Sequence, residues 1–267
     1  GYEVTYIDVT ERGVIDLEQL KNAIRNDTVV ISVMYVNNET GVVQPIDEIA
    51  KMIEGKGIVL HTDAIQGVGK EMILPKKQGI HALSAAAHKF YGPKGTGFLY
   101  LDQNYMIEKE ITGGSQERNR RSGTENVHGI VGMAKALEIV YSDMEEEQAK
   151  EKEMQIYLEE ALKEEICNIK INCGNSRRIS SVVNITLEDC NVQTLMVALD
   201  MEGICVSGGS ACMSGAMETS HVLKAMGASE EDLKSSIRVS IGRYNTKDEI
   251  DIFIQKLKEI VARERAK

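Results

Sequence analysis

Lys89 stands in the run Ala87-His88-Lys89-Phe90-Tyr91-Gly92-Pro93-Lys94-Gly95, a lysine at an expected strand end followed at once by a turn rich in glycine and proline. Such a turn holds the backbone rigid beside a ligand. Twenty-six residues earlier, Asp63 closes the run GIVLHTD and is followed by Gln66, so both side chains are expected at the carboxyl edge of a sheet. Open α/β sheets bind ligands at that edge. A lysine facing an aspartate across such a cleft suits pyridoxal phosphate, because the lysine holds the cofactor covalently and the carboxylate keeps its ring nitrogen protonated. Taken alone the pair is weak, since a strand-end aspartate is more often a helix cap or turn former. A second group able to do chemistry is Cys212, in Gly208-Gly209-Ser210-Ala211-Cys212-Met213-Ser214-Gly215, whose small residues suit a mobile loop. A thiol there can swing between two partners. Cys167, Cys173, Cys190 and Cys205 read as small buried hydrophobes.

The elements that must position these groups alternate between strand-like and helical periods, the pattern of a parallel sheet flanked by helices. Asp16-Leu17-Glu18-Gln19 predicts a capping box opening a helix through Ile24. Strands are expected over 28–36, 57–63, 83–85 and 97–102, with a helix over 46–53. From 129 to 165 the chain is helical and densely charged, with opposite charges at i, i+4 spacing, which predicts one long exposed connector helix. Beyond it a strand (179–187), a helix (192–201), a strand (237–241) and a closing helix (247–263) predict a smaller α+β domain. The expected division is 1–135, part of a large cofactor-binding domain, and 136–267, connector and small C-terminal domain.

At 267 residues and 42% hydrophobic content the chain can bury a substantial core. The net charge of −10 disfavours a nucleic-acid surface, which needs clustered lysine and arginine. No apolar run approaches the ~20 residues of a membrane helix, and the opening residues lack the marks of a signal peptide, so a cytoplasmic protein with no membrane partner is expected. Five cysteines without a C-x-x-C pair disfavour a disulfide framework and a zinc site, and no metal is expected. Gly92 to Gly97 has neither the Walker A nor the dinucleotide spacing and reads as a rigid turn.

Five motifs, in order, carry a resemblance to a known family: VNNETGVVQPI (36–46), HTDAIQGVGK (61–70), AHKFYGPKGTG (87–97), GGSQERNRRSGTEN (113–126) and SGGSACMSG (207–215), with SSIRVSIGRYNTKDEID (235–251) after them. The chain resembles the cysteine desulfurases of the NifS and IscS type, within the class V aminotransferase group. The resemblance implies an α/β fold of the pyridoxal-phosphate-dependent transferase, aspartate aminotransferase-like kind, with a mostly parallel sheet and a smaller C-terminal α+β domain. It implies Lys89 as the cofactor-bearing and catalytic lysine and Asp63 as partner of the ring nitrogen. Asn38 and Gln66 would contact the substrate or the ring hydroxyl, and His88 would sit beside the phosphate and assist protonation. Thr124 would reach the phosphate of a neighbouring subunit, implying a homodimer. Arg238 would clamp the substrate carboxylate through its planar fork, and Cys212 would accept sulfur from L-cysteine. Alanine would be released, and the persulfide would pass to a sulfur-acceptor or scaffold protein for iron–sulfur clusters or thiolation.

Two departures from the family carry expectations of their own. The chain begins after the family's phosphate-cupping turn and ring-stacking histidine, so its sheet should be exposed where those parts would pack, and its hold on the cofactor should be weak or absent. Ala86 stands where the family usually has a serine bonded to the phosphate, and Ser84, two residues away along the strand, is not expected to replace it. The alternatives are a selenocysteine lyase or another class V enzyme, and a non-catalytic segment acting as a scaffold. A thiol in a mobile loop favours desulfuration.

Overall fold

The computed structural model describes residues 1–209 and 219–266. In chain order its elements are α1 (Leu17–Ala23), β1 (Val30–Met34), α2 (Ile46–Ile53), β2 (Val59–Asp63), β3 (Ala82–Ala86), β4 (Gly97–Leu101), the turn-length α3 (Gln116–Asn119), α4 (Val127–Ser142), α5 (Met144–Glu165), β5 (Ile169–Asn172), β6 (Val182–Leu187), α6 (Val192–Met201), α7 (His221–Ala225), α8 (Glu230–Lys234), β7 (Ser236–Ser240) and α9 (Lys247–Arg265). A 3-10 turn, Ala87–Lys89, follows β3. Compactness does not follow chain order. Ile24–Tyr35 with Pro45–Met144 form one unit, and Gly1–Ala23, Val36–Gln44 and Glu145–Lys267 form the other.

The first unit is built on a sheet of order β1-β2-β3-β4, with β1, β2 and β3 parallel and β4 antiparallel to β3. Because side chains alternate along a strand, one face buries Ile31, Leu60, Thr62, Leu83 and Ala85, while the other presents His61, Asp63 and Ser84. Helix α2 supplies Ile46, Ile49 and Ile53 at helical spacing as its buried stripe. On the polar face Val30, Met34 and Leu99 are 52%, 38% and 49% exposed. Strands β1 and β2 are shorter at their N-terminal ends than expected. Thr28 closes a turn onto Arg25, and Gly57 takes a positive φ of 71° that no strand accommodates.

The second unit holds the antiparallel sheet β5-β6-β7. Its core joins Val183, Ile185 and Leu187 of β6 and Ile237 of β7 to Leu195 and Leu199 of α6, Leu257 of α9 and Leu158 and Leu162 of α5. The expected single exposed connector is corrected on two counts. It is two helices, α4 and α5, parted at Asp143, and α5 sends Met154, Leu158 and Leu162 into the core at four-residue spacing. Its charges coat the other side. The expected capping box at α1 is half formed. Asp16 Oδ1 accepts from the Glu18 and Gln19 amides, but Gln19 turns to the backbone and carboxylate of Asp8 instead of back to Asp16. No helix among the described residues is long and apolar enough to cross a membrane.

Candidate functional site

In the first unit, Asp63 ends β2 and Lys89 lies three residues beyond the end of β3, so both sit at the carboxyl edge of parallel neighbours. Asp63 pairs with Ser84 across the strands, which places it on the same face as Ser84 and Ala86. The turn after β2 is closed by Gly67 N donating to Ala64 O at 2.9 Å and by Ile65 N donating to Asp63 Oδ1 at 3.0 Å. That leaves the second carboxylate oxygen of Asp63 to accept elsewhere. Gln66 is half-buried, and its amide oxygen accepts from Lys70 Nζ at 2.9 Å.

The lysine turn is gripped on both sides. Ala87 N donates to Thr96 O and Gly92 N to Ala87 O, each at 2.9 Å, and Ala87 and Phe90 are buried. A Cβ on Gly69 would come 2.9 Å from Phe90 Cβ, so the two turns touch and glycine is required there. Gly97 is needed for a similar reason, since a Cβ would lie 2.5 Å from Ala85 O. Between these anchors Lys89 is half-buried, and among the described residues its amine makes no hydrogen bond or ion pair. His88 is exposed, as is Thr124. Glu117, Arg118 and Asn119, in the segment before Thr124, all adopt positive φ.

One rung below Asp63, His61 spans the sheet. Its Nδ1 is 2.8 Å from Ser32 Oγ and its Nε2 is 3.2 Å from Ser84 Oγ. Burial lowers its pKa, and the nearby Asp63 charge opposes that shift. Ser84 is therefore committed to His61, and Ala86 offers only a methyl group.

The second unit places Asn38 and Arg238 together. Arg238 pairs with Asn184 in the β6–β7 register, and its Nη1 donates to Asn38 O at 2.9 Å. Residues 36–43 fold as a tight turn, with Asn37 N donating to Val42 O and Asn37 Oδ1 accepting from the Glu39 and Thr40 amides. Asn184 Nδ2 donates to Glu39 O at 3.2 Å, and Asn172 Nδ2 donates to Asn184 Oδ1 and Thr186 Oγ1 at 2.7 and 2.8 Å. Asn37, Glu39, Thr40, Asn172, Asn184 and Thr186 are all buried. Sequence reasoning singled out Asn38 and passed over Glu39, which is 1% exposed. A polar run directly after an apolar strand was the available signal. Cys212 lies outside the described residues.

As a test of whether pyridoxal phosphate suits these residues, the ring end fits. A half-buried lysine amine without a competing partner and an aspartate with one carboxylate oxygen left over are the donor set its aldehyde and ring nitrogen need. The phosphate end is thinner, because Ala86 has no hydroxyl and Ser84 is engaged.

A family profile described as aminotransferase class V matches residues 1–253. A protein named cysteine desulfurase IscS from Clostridium botulinum is 41% identical over 267 residues, covering 99% of this chain and 67% of the relative. One of the same name from Methanosarcina thermophila is 42% identical over 265 residues, covering 99% and 65%. Among solved structures, a NifS-like protein superposes with a TM-score of 0.90 at 34% identity, covering 98% of this chain and 69% of the other. A NifS-like protein from Rickettsia africae gives 0.89 at 35% identity, covering 96% and 69%. The chain spans about two thirds of the length of these relatives.

Proposed function

Because the chain belongs to the class V aminotransferase family, and within it to the cysteine desulfurases, we propose that it takes sulfur from L-cysteine with pyridoxal phosphate held on Lys89, leaving alanine and a persulfide on Cys212. Its function is cysteine desulfurase-like. The observation that carries the assignment of Lys89 is the half-buried amine, without a hydrogen bond or ion pair among the described residues, at the strand edge that also ends in Asp63.

When bound, pyridoxal phosphate supplies an electron sink for the negative charge that develops at the substrate α-carbon. Asp63 would keep the ring nitrogen protonated, and Gln66, its oxygen held by Lys70, would donate its amide N–H to the ring hydroxyl. The Lys89 amine would take the α-proton as general base and later return a proton. His88 would assist protonation and stand beside the phosphate with Thr124. Arg238, oriented by the Asn38 carbonyl, would clamp the substrate carboxylate, with Asn38 contacting substrate as well. The Cys212 thiolate would attack the substrate sulfur. An S–S bond forms, the C–S bond breaks with its electron pair going to carbon, and a proton completes alanine. The persulfide would then pass to an acceptor or scaffold protein serving iron–sulfur clusters or thiolation. A cytoplasmic homodimer, with Thr124 serving the neighbouring subunit, belongs to the same proposal.

Borohydride reduction after incubation with pyridoxal phosphate, followed by peptide mass spectrometry, tests the reading. The adduct is expected on Lys89, and an adduct on Lys94 or Lys70 would overturn it. A second reading, a scaffold that holds no cofactor, is favoured by Ala86 and the engagement of Ser84. A protein that stays colourless with excess pyridoxal phosphate would establish that second reading.

A further inference from the structure

Asn184 and Arg238 face each other in the β6–β7 register, and each grips a carbonyl of the same turn. Arg238 Nη1 donates to Asn38 O at 2.9 Å, and Asn184 Nδ2 donates to the next carbonyl, Glu39 O, at 3.2 Å. Directly opposed residues of an antiparallel pair have Cβ atoms about 4.5–5.5 Å apart, so the two side chains lie next to one another on one face of the sheet. Asn184 is 1% exposed, which makes its hydrogen bonds costly to lose.

The backbone of Arg238 is already fixed on both sides. It pairs with β6 through the ladder, and it exchanges two backbone hydrogen bonds with Ser207, at 2.6 and 3.2 Å. What remains to be set is the guanidinium, at the end of a stem rich in rotamers. Fixing one Nη group on a carbonyl settles the plane of the fork, provided that the carbonyl is itself held still. The far end of the turn is tied by Val43 N donating to Arg177 O and Ile179 N to Gly41 O, each at 2.9 Å. At the near end Asn184 bonds the backbone one peptide away from Asn38 O, whereas Ser220 Oγ donates to the Glu39 carboxylate and not to that backbone. Asn184 is held in turn by Asn172, whose Nδ2 donates to Asn184 Oδ1 at 2.7 Å and to Thr186 Oγ1 at 2.8 Å.

We propose that Asn184 is a positioning residue for the substrate clamp, holding the turn through Glu39 O so that Asn38 O keeps the Arg238 guanidinium in the orientation that receives a carboxylate. The proposal deepens the reading of Arg238 as that clamp and rests on it. The neutrality of Asn184 is part of the role. An aspartate at 184 would lose the donor that Glu39 O accepts, and it would set a carboxylate opposite Arg238 that competes with the substrate for the guanidinium.

The test uses the whole chain as N184A, N184D and T186V. Labelling with phenylglyoxal, which condenses with the guanidinium nitrogens of arginine, is followed by peptide mass spectrometry at Arg238, with the exposed Arg263 as reference in the same molecule. Propionate is the probe, a carboxylate without an amine or thiol to consume the reagent. In the parent it should slow the labelling of Arg238 and leave Arg263 unchanged. With the guanidinium correctly placed for only about a tenth to a third of the time, the half-protecting concentration should rise about three- to tenfold in N184A and N184D. T186V removes buried hydrogen bonds to Asn172 and Ser236 in the same network but leaves the Glu39 contact, so its protection should stay within about twofold of the parent. A merely structural role would weaken N184A and T186V alike. Protection in N184A within about twofold of the parent, or an equal loss in T186V, would overturn the proposal. Should N184A fail to fold, N184D has the same shape and carries the same comparison. The clamp reading fails separately if propionate does not protect Arg238 in the parent. The labelling rate without propionate then still decides the role of Asn184. It should rise about three- to tenfold in N184A as the guanidinium comes free of Asn38 O, and an unchanged rate would overturn the positioning role.

Discussion

The lysine turn and the turn at residues 36–43 are built on opposite principles. Around Lys89 the constraints are backbone hydrogen bonds and glycine contacts, so the Lys89 segment is held in place while its amine makes no bond of its own among the described residues. Around Asn38 and Arg238 the polar side chains are committed to hydrogen bonds, Arg238 to the Asn38 carbonyl, Asn184 to the Glu39 carbonyl, and Asn172 to Asn184, in a buried network. In the proposed function this contrast has a use. Lys89, proposed to form a bond during reaction, is kept uncommitted, while Arg238 and Asn38, proposed to orient a substrate, are committed in advance, which would lower the ordering cost when the substrate arrives.

The largest effects should separate these two designs. Lys89→Ala should abolish the borohydride-trapped adduct completely while leaving the thermal midpoint nearly unchanged, because a side chain with no partner contributes within about 0.5 kcal/mol of stability. A clear loss of stability in that variant would show that the amine has a structural bond after all. Asn184→Ala should do the reverse for the fold, withdrawing the donor from Glu39 O and the acceptor from Asn172 in a buried place, at a cost of about 1–3 kcal/mol. Urea unfolding measures this. A change below about 0.5 kcal/mol would mean the network adds little to the fold.

Ala86→Ser sharpens the comparison within the first unit. Ala86 shares a face with Asp63, and Ser84 is occupied by His61, so a new hydroxyl at 86 would be an uncommitted donor on the proposed cofactor side. A charge-assisted hydrogen bond to a phosphate contributes about 1.5–3 kcal/mol, or about ten- to 150-fold in affinity. Titration with pyridoxal phosphate should show tightening in that range. Unchanged affinity would place the phosphate away from residue 86.

Where local chemistry decided the outcome, the sequence was easy to read. Helices α2 and α6 have the expected bounds because their apolar residues recur at helical spacing, and Asn191 caps the second through its side chain. The strand-end placement of Lys89 and Asp63 was legible because such positions follow from chain order in a parallel sheet. Tertiary packing decided the rest. Helix α5 reads as solvated from its charges, yet Met154, Leu158 and Leu162 are core, and nothing local distinguishes such a stripe from an exposed one. Strand β5 has four residues, and α7 and α8 have five each, too few for a periodicity to register. Glu39 was missed because acidic residues are rarely buried, and the Asn184 contact that pins its backbone comes from 145 positions away.

The smallest effect, and the one that most closely probes the polar face of the first sheet, belongs to His61. Burial lowers its pKa below the ordinary value of 6.5, against the opposing pull of Asp63. The folded state therefore resists protonating this ring more than the unfolded chain does. Above the unfolded value of about 6.5 both states are neutral and the full stability is present. As pH falls below that point the unfolded chain takes up a proton first, so stability drains away until pH has passed through the lowered folded value, where the loss is complete. Scanning calorimetry from pH 7.5 downward should show the midpoint declining across that window. His61→Gln keeps a donor and an acceptor between Ser32 and Ser84 but cannot titrate, so it should flatten this part of the profile while leaving the midpoint at pH 7.5 little changed. If the Gln variant shows the same decline, carboxylates elsewhere are responsible. If it loses stability equally at every pH, the imidazole acts here by shape and hydrogen bonding alone, and the open face of this sheet carries no titrating group of consequence.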